Sequence, residues 1–348
     1  MNILVDIGHT PQLNFYKQLI EQLSISGHNV YVTVLKRGRL PKIAQHELGS
    51  ISNVMVVPIG KHRMNKISAI LESNLLRVAL MYLWSVGKHI DFVLSNGVVA
   101  HMVGWMHRVP CYAFDDDPQV WDYKPKLFFC NQSSYCIYES QKPLSDKAVI
   151  LRCTKEWAYL APKHFNPNPK VLEKYGVQPK EYVFLREVSV GTVNYAGQAS
   201  GAILGIQDLI PKDKKVLFSL EEKDKRHLYP KDWILLQEPI EDIHSLIYYS
   251  AGLVSSGDSM AREAALLGVP AYYLGIRYDM PANAAAAKVA NLQNQKTADF
   301  AEWVKNLSIT PEEAEKQQQA LRQHIDEEFI DINAYMMALV EQVEIANH

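Results

Sequence analysis

The residues with the clearest capacity for chemistry lie in one short stretch, Ser255-Ser256-Gly257-Asp258-Ser259, with Glu263 just beyond it. Apolar residues 252–254 precede the turn, and residues 260–267 carry a helical stripe of Met260, Ala264 and Leu267. Gly268 stops that helix, and 270–274 reads as a second apolar strand, so the unit is strand–turn–helix–strand. Such a turn can aim backbone N–H groups and the positive end of a helix dipole at an anion. Glu263 has no Ser, Thr, Asp or Asn three residues before it, so it is not the carboxylate of a capping box. One reading is a phosphate-binding turn whose carboxylate reaches sugar hydroxyls. The other is an ordinary crossover with a glutamate favoured by the dipole.

A second group gathers in the first half. Gly8, His9 and Thr10 follow the apolar strand 2–5, and Asp115, Asp116 and Asp117 follow the strand 111–114. In a parallel sheet, ligands collect at the carboxyl ends of strands, where both loops fall. His9 is therefore a candidate base, or a histidine in a helix-entry turn. The three aspartates are candidate chemistry, or a solvated capping loop.

The elements needed to hold these residues are legible as alternation. Thr10 caps a helix that opens with Pro11, carries Leu13, Tyr16, Leu19, Ile20 and Leu23 on one face, and ends at Gly27. Strands follow at 30–34, 54–57, 92–94 and 111–114, with a helix at 98–107. Alternating strand and helix implies right-handed crossovers and a parallel sheet. Prolines 162, 167, 169 and 179 mark a hinge over 154–180. A second series begins at 182–185, with further strands at 216–220 and 233–236 and a helix at 242–249. Thr310-Pro311-Glu312-Glu313 is a helix start, and 333–345 is a last helix with Tyr335, Met336, Leu339 and Val343 on one face.

Length and composition bound the function. A chain of 348 residues, 48% hydrophobic, suits two domains with sizeable cores. The net charge of −2 argues against general nucleic-acid binding. Residues 1–150 hold 15 Lys and Arg against 11 acidic residues, a net +4, and the remainder 21 against 27, a net −6. Cys111, Cys130, Cys136 and Cys153 form no CxxC pair and no zinc spacing, so buried thiols in a reducing, cytoplasmic setting are expected. The start runs straight into a strand, so no signal peptide is expected. The apolar run 75–86 is too short for a membrane span. It follows a basic start (Lys61, His62, Arg63, Lys66). A core helix after a solvated loop is the favoured reading, and weak peripheral contact with the inner face of a membrane is the other.

Several motifs together carry a resemblance: D-I-G-H-x-P-x-x-x-F at 6–15, F-D-D at 114–116, K-E-W-A-Y-L-A-P at 155–162, F-L-R-x-V-S at 184–189, L-x-Y-Y-S-A at 246–251 and S-M-x-x-E-A-A-L-L-G-V-P at 259–270. They resemble an uncharacterised domain family that is similar to the GT-B glycosyltransferases and the non-hydrolysing UDP-N-acetylglucosamine 2-epimerases. The resemblance covers nearly the whole chain. It implies an α/β fold of two Rossmann-like, parallel-sheet domains facing across a cleft: an acceptor-side domain over 1–160, a nucleotide-sugar domain over 161–330, and a terminal helix over 331–348 that crosses back.

It also implies roles. Glu263 would hold ribose hydroxyls, Gly257, Asp258 and Ser259 with Ser256 would surround the pyrophosphate, and Arg186 and Ser189 would neutralise phosphate charge. Relatives usually have glycine where Asp258 stands, and a carboxylate there repels phosphate unless it is turned away. Gly8, Thr10, Asp115 and Asp117 would lie on the acceptor side, with His9 or Asp116 as base for an acceptor hydroxyl. The implied partners are an NDP-sugar, UDP-linked, and a glycan or lipid-linked acceptor. The leaving group would be stabilised by Arg186 and the helix N-terminus, with no metal and no further cofactor. Three rival expectations stand beside this: an NDP-sugar epimerase, a manganese enzyme using D-x-D within 115–117, and a non-catalytic nucleotide-sugar-binding protein. No GxGxxG follows the first strand, which disfavours a dinucleotide oxidoreductase.

Overall fold

The computed structural model describes residues 1–62, 74–118, 123–140, 144–190, 197–237, 240 and 242–346. Arg63 and Lys66, part of the expected basic start, lie outside the described residues. The chain divides into two units, Met1–Tyr159 with Ile330–His348, and Leu160–Phe329.

The first unit runs β1 (Asn2–Ile7), α1 (Thr10–Ile25), β2 (Asn29–Lys36), α2 (Leu40–Leu48), β3 (Val54–Lys61), α3 (Arg77–Ser85), β4 (Phe92–Ser95), α4 (Val98–His107), β5 (Cys111–Asp115), α5 (Tyr123–Phe129), β6 (Gln132–Cys136), β7 (Ala148–Leu151) and α6 (Trp157–Leu160). All pairings between these strands are parallel, in the order β3-β2-β1-β4-β5-β6-β7. The central strands β1 and β4 are near-continuous apolar runs, as burial on both faces demands. Strands leave β1 in both directions, so the β1/β4 border is the switch point of this sheet, with Asp6 level with Ser95.

The second unit contains β8 (Tyr182–Glu187), β9 (Lys215–Leu220), β10 (Ile234–Leu235), α7 (Ile243–Tyr248), β11 (Gly252–Ser255), α8 (Asp258–Leu266), β12 (Ala271–Tyr273), α9 (Pro281–Val289), β13 (Gln293–Asn294), α10 (Phe300–Lys305) and α11 (Pro311–Glu328). Its sheet is also parallel, ordered β10-β9-β8-β11-β12-β13, and its switch point is the β8/β11 border. The last helix, α12 (Ile332–Ala346), returns to the first unit and packs on α1. Ile332, Met336, Leu339, Val340 and Val343 are buried there, and Asn333 donates to the Ala158 carbonyl at 2.8 Å.

The helix α3 corrects one expectation. A core helix was the favoured reading of its apolar sequence, and one face does bury Arg77, Val78, Met81 and Ser85. The other face is solvent-exposed at Leu80 and Leu83, the latter 69% exposed. No helix among the described residues is long and apolar enough to cross a membrane.

The helix α4 lies directly on the sheet. A Cβ at Gly104 would sit 2.3 Å from Cys111 Sγ and 2.7 Å from Val93 Cγ2, so only glycine permits this approach. Because α4 opens beside β1 and β5, its seating sets the geometry of the carboxyl edge. Gly104→Ala should therefore destabilise the first unit by about 1–3 kcal/mol through overpacking, read as a lower urea midpoint with unchanged slope. An unchanged midpoint would show that the contact relaxes freely.

Candidate functional site

In the second unit, the expected residues converge at the carboxyl edge of β8 and β11. The Ser256 N–H donates to the Arg186 carbonyl at 3.0 Å, and the Val188 N–H donates to Ser256 Oγ at 2.9 Å. Gln198 Nε2 donates to the Ser256 carbonyl at 2.8 Å. The hydroxyl and carbonyl of Ser256 thus tie the turn to β8 and to Gln198. Ser255 Oγ accepts from the Gly257 N–H at 2.9 Å, which fixes the turn from within. Gly257 is the N-cap of α8, with extended backbone (φ −103°, ψ 140°) and no side-chain cap bond among the described residues. The floor of the turn is buried, and Ser259 and Met260 are its half-buried rim.

Asp258 does not face a ligand as a bare carboxylate. It is 3% exposed, and its Oδ2 lies 2.9 Å from Arg277 Nη1 and 3.6 Å from Arg262 Nη1. Its Oδ1 accepts from the Ser259 N–H at 3.0 Å. Arg262 is held in turn by Asn283 Oδ1 at 2.6 Å. One carboxylate therefore anchors two guanidinium groups beside a helix N-terminus. The local sum is positive, which suits an anion. Arg277 retains a partly exposed side chain at the carboxyl edge beside β12.

Glu263 sits on α8 facing α7, where His244 Nε2 lies 3.3 Å from its Oε1. Burial alone would lower the His244 pKa, but the Glu263 carboxylate and Asp242 outweigh it and raise the value above the ordinary 6.5. Arg186, at the end of β8, donates to Ser219 Oγ at 2.7 Å and pairs with Glu221. Glu221 also accepts from the Ser189 N–H at 2.8 Å. The two residues assigned to phosphate charge are thus held side by side by one carboxylate.

In the first unit, the Gly8 N–H donates to Gln12 Oε1 at 2.6 Å, closing the turn that carries His9 into α1, with Thr10 exposed. Asp6 anchors this turn from beneath. Arg77 grips it in bidentate fashion at 2.9 and 2.5 Å, and Thr33 donates to it at 2.7 Å. Across the edge, Asp115 pairs with the buried Lys126, and Asp116 lies 2.9 Å from Lys155 Nζ. Asp117 is half-buried in the same loop. His9 belongs electrostatically to this group. Its pKa is pushed down to about 4 by burial, then by Lys155 and Arg37, with Asp116 opposing. Lys155 is shifted upward: burial lowers it, and Asp116 and Asp115 more than compensate. His9 is neutral at pH 7, and Asp116 stands as a lysine-bound carboxylate. Among the described residues no cluster of three or more His, Cys, Asp or Glu is placed to hold a metal.

Sequence reasoning missed His244, Arg277, Arg262, Glu221, Lys126 and Lys155. The strand-end rule that selected Asp115 applies equally to Arg277, four residues after β12, and could have found it. Lys155 stands inside the K-E-W-A-Y-L-A-P motif, to which the resemblance attaches no role. Two cavities, of about 490 and about 860 Å³, lie elsewhere. The first is lined by Lys180, Gly268 and Gln293 and the second by Pro110, Asn131 and Trp105, at the amino edges of the two sheets.

Two Rossmann-like parallel-sheet units in one chain constitute the GT-B fold. No family model and no curated protein matches the sequence. Solved structures do match in fold. UDP-GlcNAc 2-epimerase from Neisseria meningitidis bound to UDP-GlcNAc aligns over 98% of this chain and 100% of its own, with TM-score 0.66 and 15% identity. The glycotransferase of kitacinnamycin aligns over 98% of both chains, with TM-score 0.64 and 12% identity. A spinosyn rhamnosyltransferase complexed with thymidine diphosphate aligns over 97% of this chain and 100% of its own, with TM-score 0.62 and 12% identity.

The His244–Glu263 pair has a testable pH signature. A histidine raised on folding adds stability in full below its unfolded value of 6.5, and that stability is lost as pH rises through the raised folded value. Thermal midpoints of wild type and His244→Gln should therefore differ most below pH 6.5 and converge as pH rises above it, through the raised folded value. A pH-independent difference would contradict the pairing.

Proposed function

We propose that this protein is a nucleotide-sugar enzyme, and specifically a metal-independent GT-B glycosyltransferase that moves a sugar from an NDP-sugar to a glycan or lipid-linked acceptor. The observation that carries the reading is the α8 turn, where a helix N-terminus and two arginines anchored on Asp258 converge, with Glu263 one turn further along. In this reading Gly257, Ser259 and Arg277 take the diphosphate, while Glu263, oriented by His244, accepts from ribose hydroxyls. Arg186 and Ser189, prearranged by Glu221, complete the charge around the leaving group. The neighbours bound to UDP-GlcNAc and to thymidine diphosphate support a nucleotide-linked donor, and we assign UDP as the nucleotide.

The base is His9 or Asp116. His9 is already neutral, so it can accept a proton, but a pKa near 4 makes it a weak base in the free protein. Negative charge brought beside it by an acceptor would raise that pKa towards the working pH. Asp116 is paired with Lys155, which fixes its position. The lysine partners of Asp115 and Asp116 supply the positive charge that a metal would otherwise bring, which disfavours the manganese reading. Gly8, Thr10 and Asp117 border the same edge and belong to the acceptor side.

The epimerase alternative uses the same donor site, and the UDP-GlcNAc-bound neighbour favours keeping it. For a lipid-linked acceptor, the first unit offers an apolar face. Leu80 and Leu83 of α3, Trp105 and Met106 of α4, and Phe128 of α5 are all exposed, with Lys88 and Arg108 nearby in the chain. Peripheral contact with an anionic membrane surface is the use this face fits.

Incubation of the protein with UDP-sugars, with and without glycan or lipid-phosphate acceptors, separates the readings by product. Acceptor-dependent UDP release is expected, and acceptor-independent formation of a C2 epimer would overturn transfer in favour of epimerisation. Glu263→Ala should weaken UDP binding by roughly tenfold or more, as loss of a charged hydrogen bond does, with the fold retained. His9→Ala should spare UDP binding and cut turnover by roughly 10²–10⁴. Undiminished UDP affinity in Glu263→Ala would remove the donor assignment.

A further inference from the structure

The switch points of the two sheets carry the same local device. In the second unit it is β11, Ser255-Ser256-Gly257, α8. In the first it is β4, Ser95-Asn96-Gly97, α4. In both, the serine at the strand end takes the N–H of the glycine two residues on, at 2.9 Å for Gly257 and 3.0 Å for Gly97. In both, that glycine is an extended N-cap with no side-chain cap bond among the described residues, φ −95° and ψ 157° at Gly97. Both follow the strand that borders the first strand of their own sheet, β1 or β8.

The middle residue differs, and the difference is informative. The hydroxyl of Ser256 is taken up by the Val188 N–H. Asn96 is 5% exposed, and neither its Nδ2 nor its Oδ1 has a hydrogen-bond partner among the described residues. A buried amide with both ends unmatched disfavours the fold unless something else completes it. Space for that something exists: a Cβ at Gly97 would meet no described atom within 4 Å.

The surrounding charge selects its sign. Beyond β1 in the same sheet, the strands β2 and β3 end in the exposed Lys36, Arg37, Lys61 and His62. Three carboxylates near this edge each carry a cation: Asp6 with Arg77, Asp115 with Lys126 and Asp116 with Lys155. His9, beside the same edge, is uncharged at neutral pH.

We propose that the Asn96 amide and the first N–H groups of α4 form an oxyanion subsite, and that the acceptor is a phosphate-bearing molecule held there. This rests on the reading that acceptor chemistry belongs to the first unit, and it narrows that acceptor from glycans in general to phosphorylated ones. The phosphate oxygens accept from Asn96 Nδ2 and from the open helix N-terminus, and the basic ends of β2 and β3 draw the charge in.

The test is TROSY NMR on full-length protein labelled with ¹⁵N-glycine. Gly97 reports this subsite and Gly257 reports the donor turn, each assigned by single substitution. Glucose 1-phosphate and monomeric dodecyl phosphate are titrated separately, as free and lipid-borne sources of the same group, and UDP is titrated as the donor control. A saturable shift of Gly97 with either phosphate is expected. A response to dodecyl phosphate alone assigns the lipid-borne source within the proposal, and a response to both assigns the phosphate itself. UDP reports on Gly257, so failure of the donor reading and failure of this one are seen at different resonances. Asn96→Ala should weaken phosphate binding at least tenfold, followed at the Gly97 resonance. Gly97→Asp is the second variant. An N-cap aspartate suits the helix, so its thermal midpoint should hold or rise, while its charge should abolish phosphate binding measured by calorimetry. An unmoved Gly97 resonance, or equal phosphate affinity in wild type and both variants, would overturn the proposal.

Discussion

The second unit depends on the buried interaction of Asp258 with Arg277 and Arg262. A carboxylate in the first turn of a helix is favoured by the dipole, but in front of a phosphate it would be repulsive. Here it is turned inward and overcompensated, so that it anchors two guanidinium groups. Loss of one partner from a buried pair of this kind typically costs about 3–5 kcal/mol, because an uncompensated charge stays behind. The anchor therefore fixes the loop after β12 against the start of α8. The residue that looked least compatible with an anion site organises its positive charge.

The same principle governs the first unit. Asp6 is locked by Arg77 and Thr33, which sets the end of β1 and hence the turn that carries His9. Asp115 and Asp116 are each locked by a lysine. Two more carboxylates near the switch point of the second unit are held in the same way, Glu221 by Arg186 and Glu263 by His244. Fixed, compensated charge of this kind is what preorganised stabilisation of a leaving diphosphate requires, since little reorientation remains to be made during reaction.

Much of the frame was legible in the sequence. The strands β1, β2, β4, β5, β8 and β11 are apolar runs bounded by glycine or polar turns, and α11 carries the Thr310 cap and Pro311 that the local sequence states. The helix α1 instead starts at Thr10 itself, with His9 as N-cap and no side-chain cap bond among the described residues, so the expected Thr10 cap is not formed. The strand β6 was not legible, because Gln132-Ser133-Ser134 is polar although Ser133 and Ser134 are fully buried in the sheet. The two-residue strand β13 leaves too little pattern to read, whereas β10 falls inside the strand expected at 233–236. The face of α3 was misjudged because its apolar residues run all round, so periodicity could not say which side meets the core. The strand-end rule and the resemblance pointed to the candidate site residues but not to their partners. Arg77 lies 71 residues from Asp6, and no local pattern links them. Glu263 was read alone because His244 comes from the preceding helix.

The central claim is that the turn at Gly257, made receptive by the arginines on Asp258, holds a nucleoside diphosphate. Its most direct measurement is a crystal structure with UDP bound. The account expects diphosphate oxygens against the turn Gly257–Ser259 and on Arg277, with ribose hydroxyls on Glu263. Clear density for UDP elsewhere, with this turn unoccupied, would contradict it.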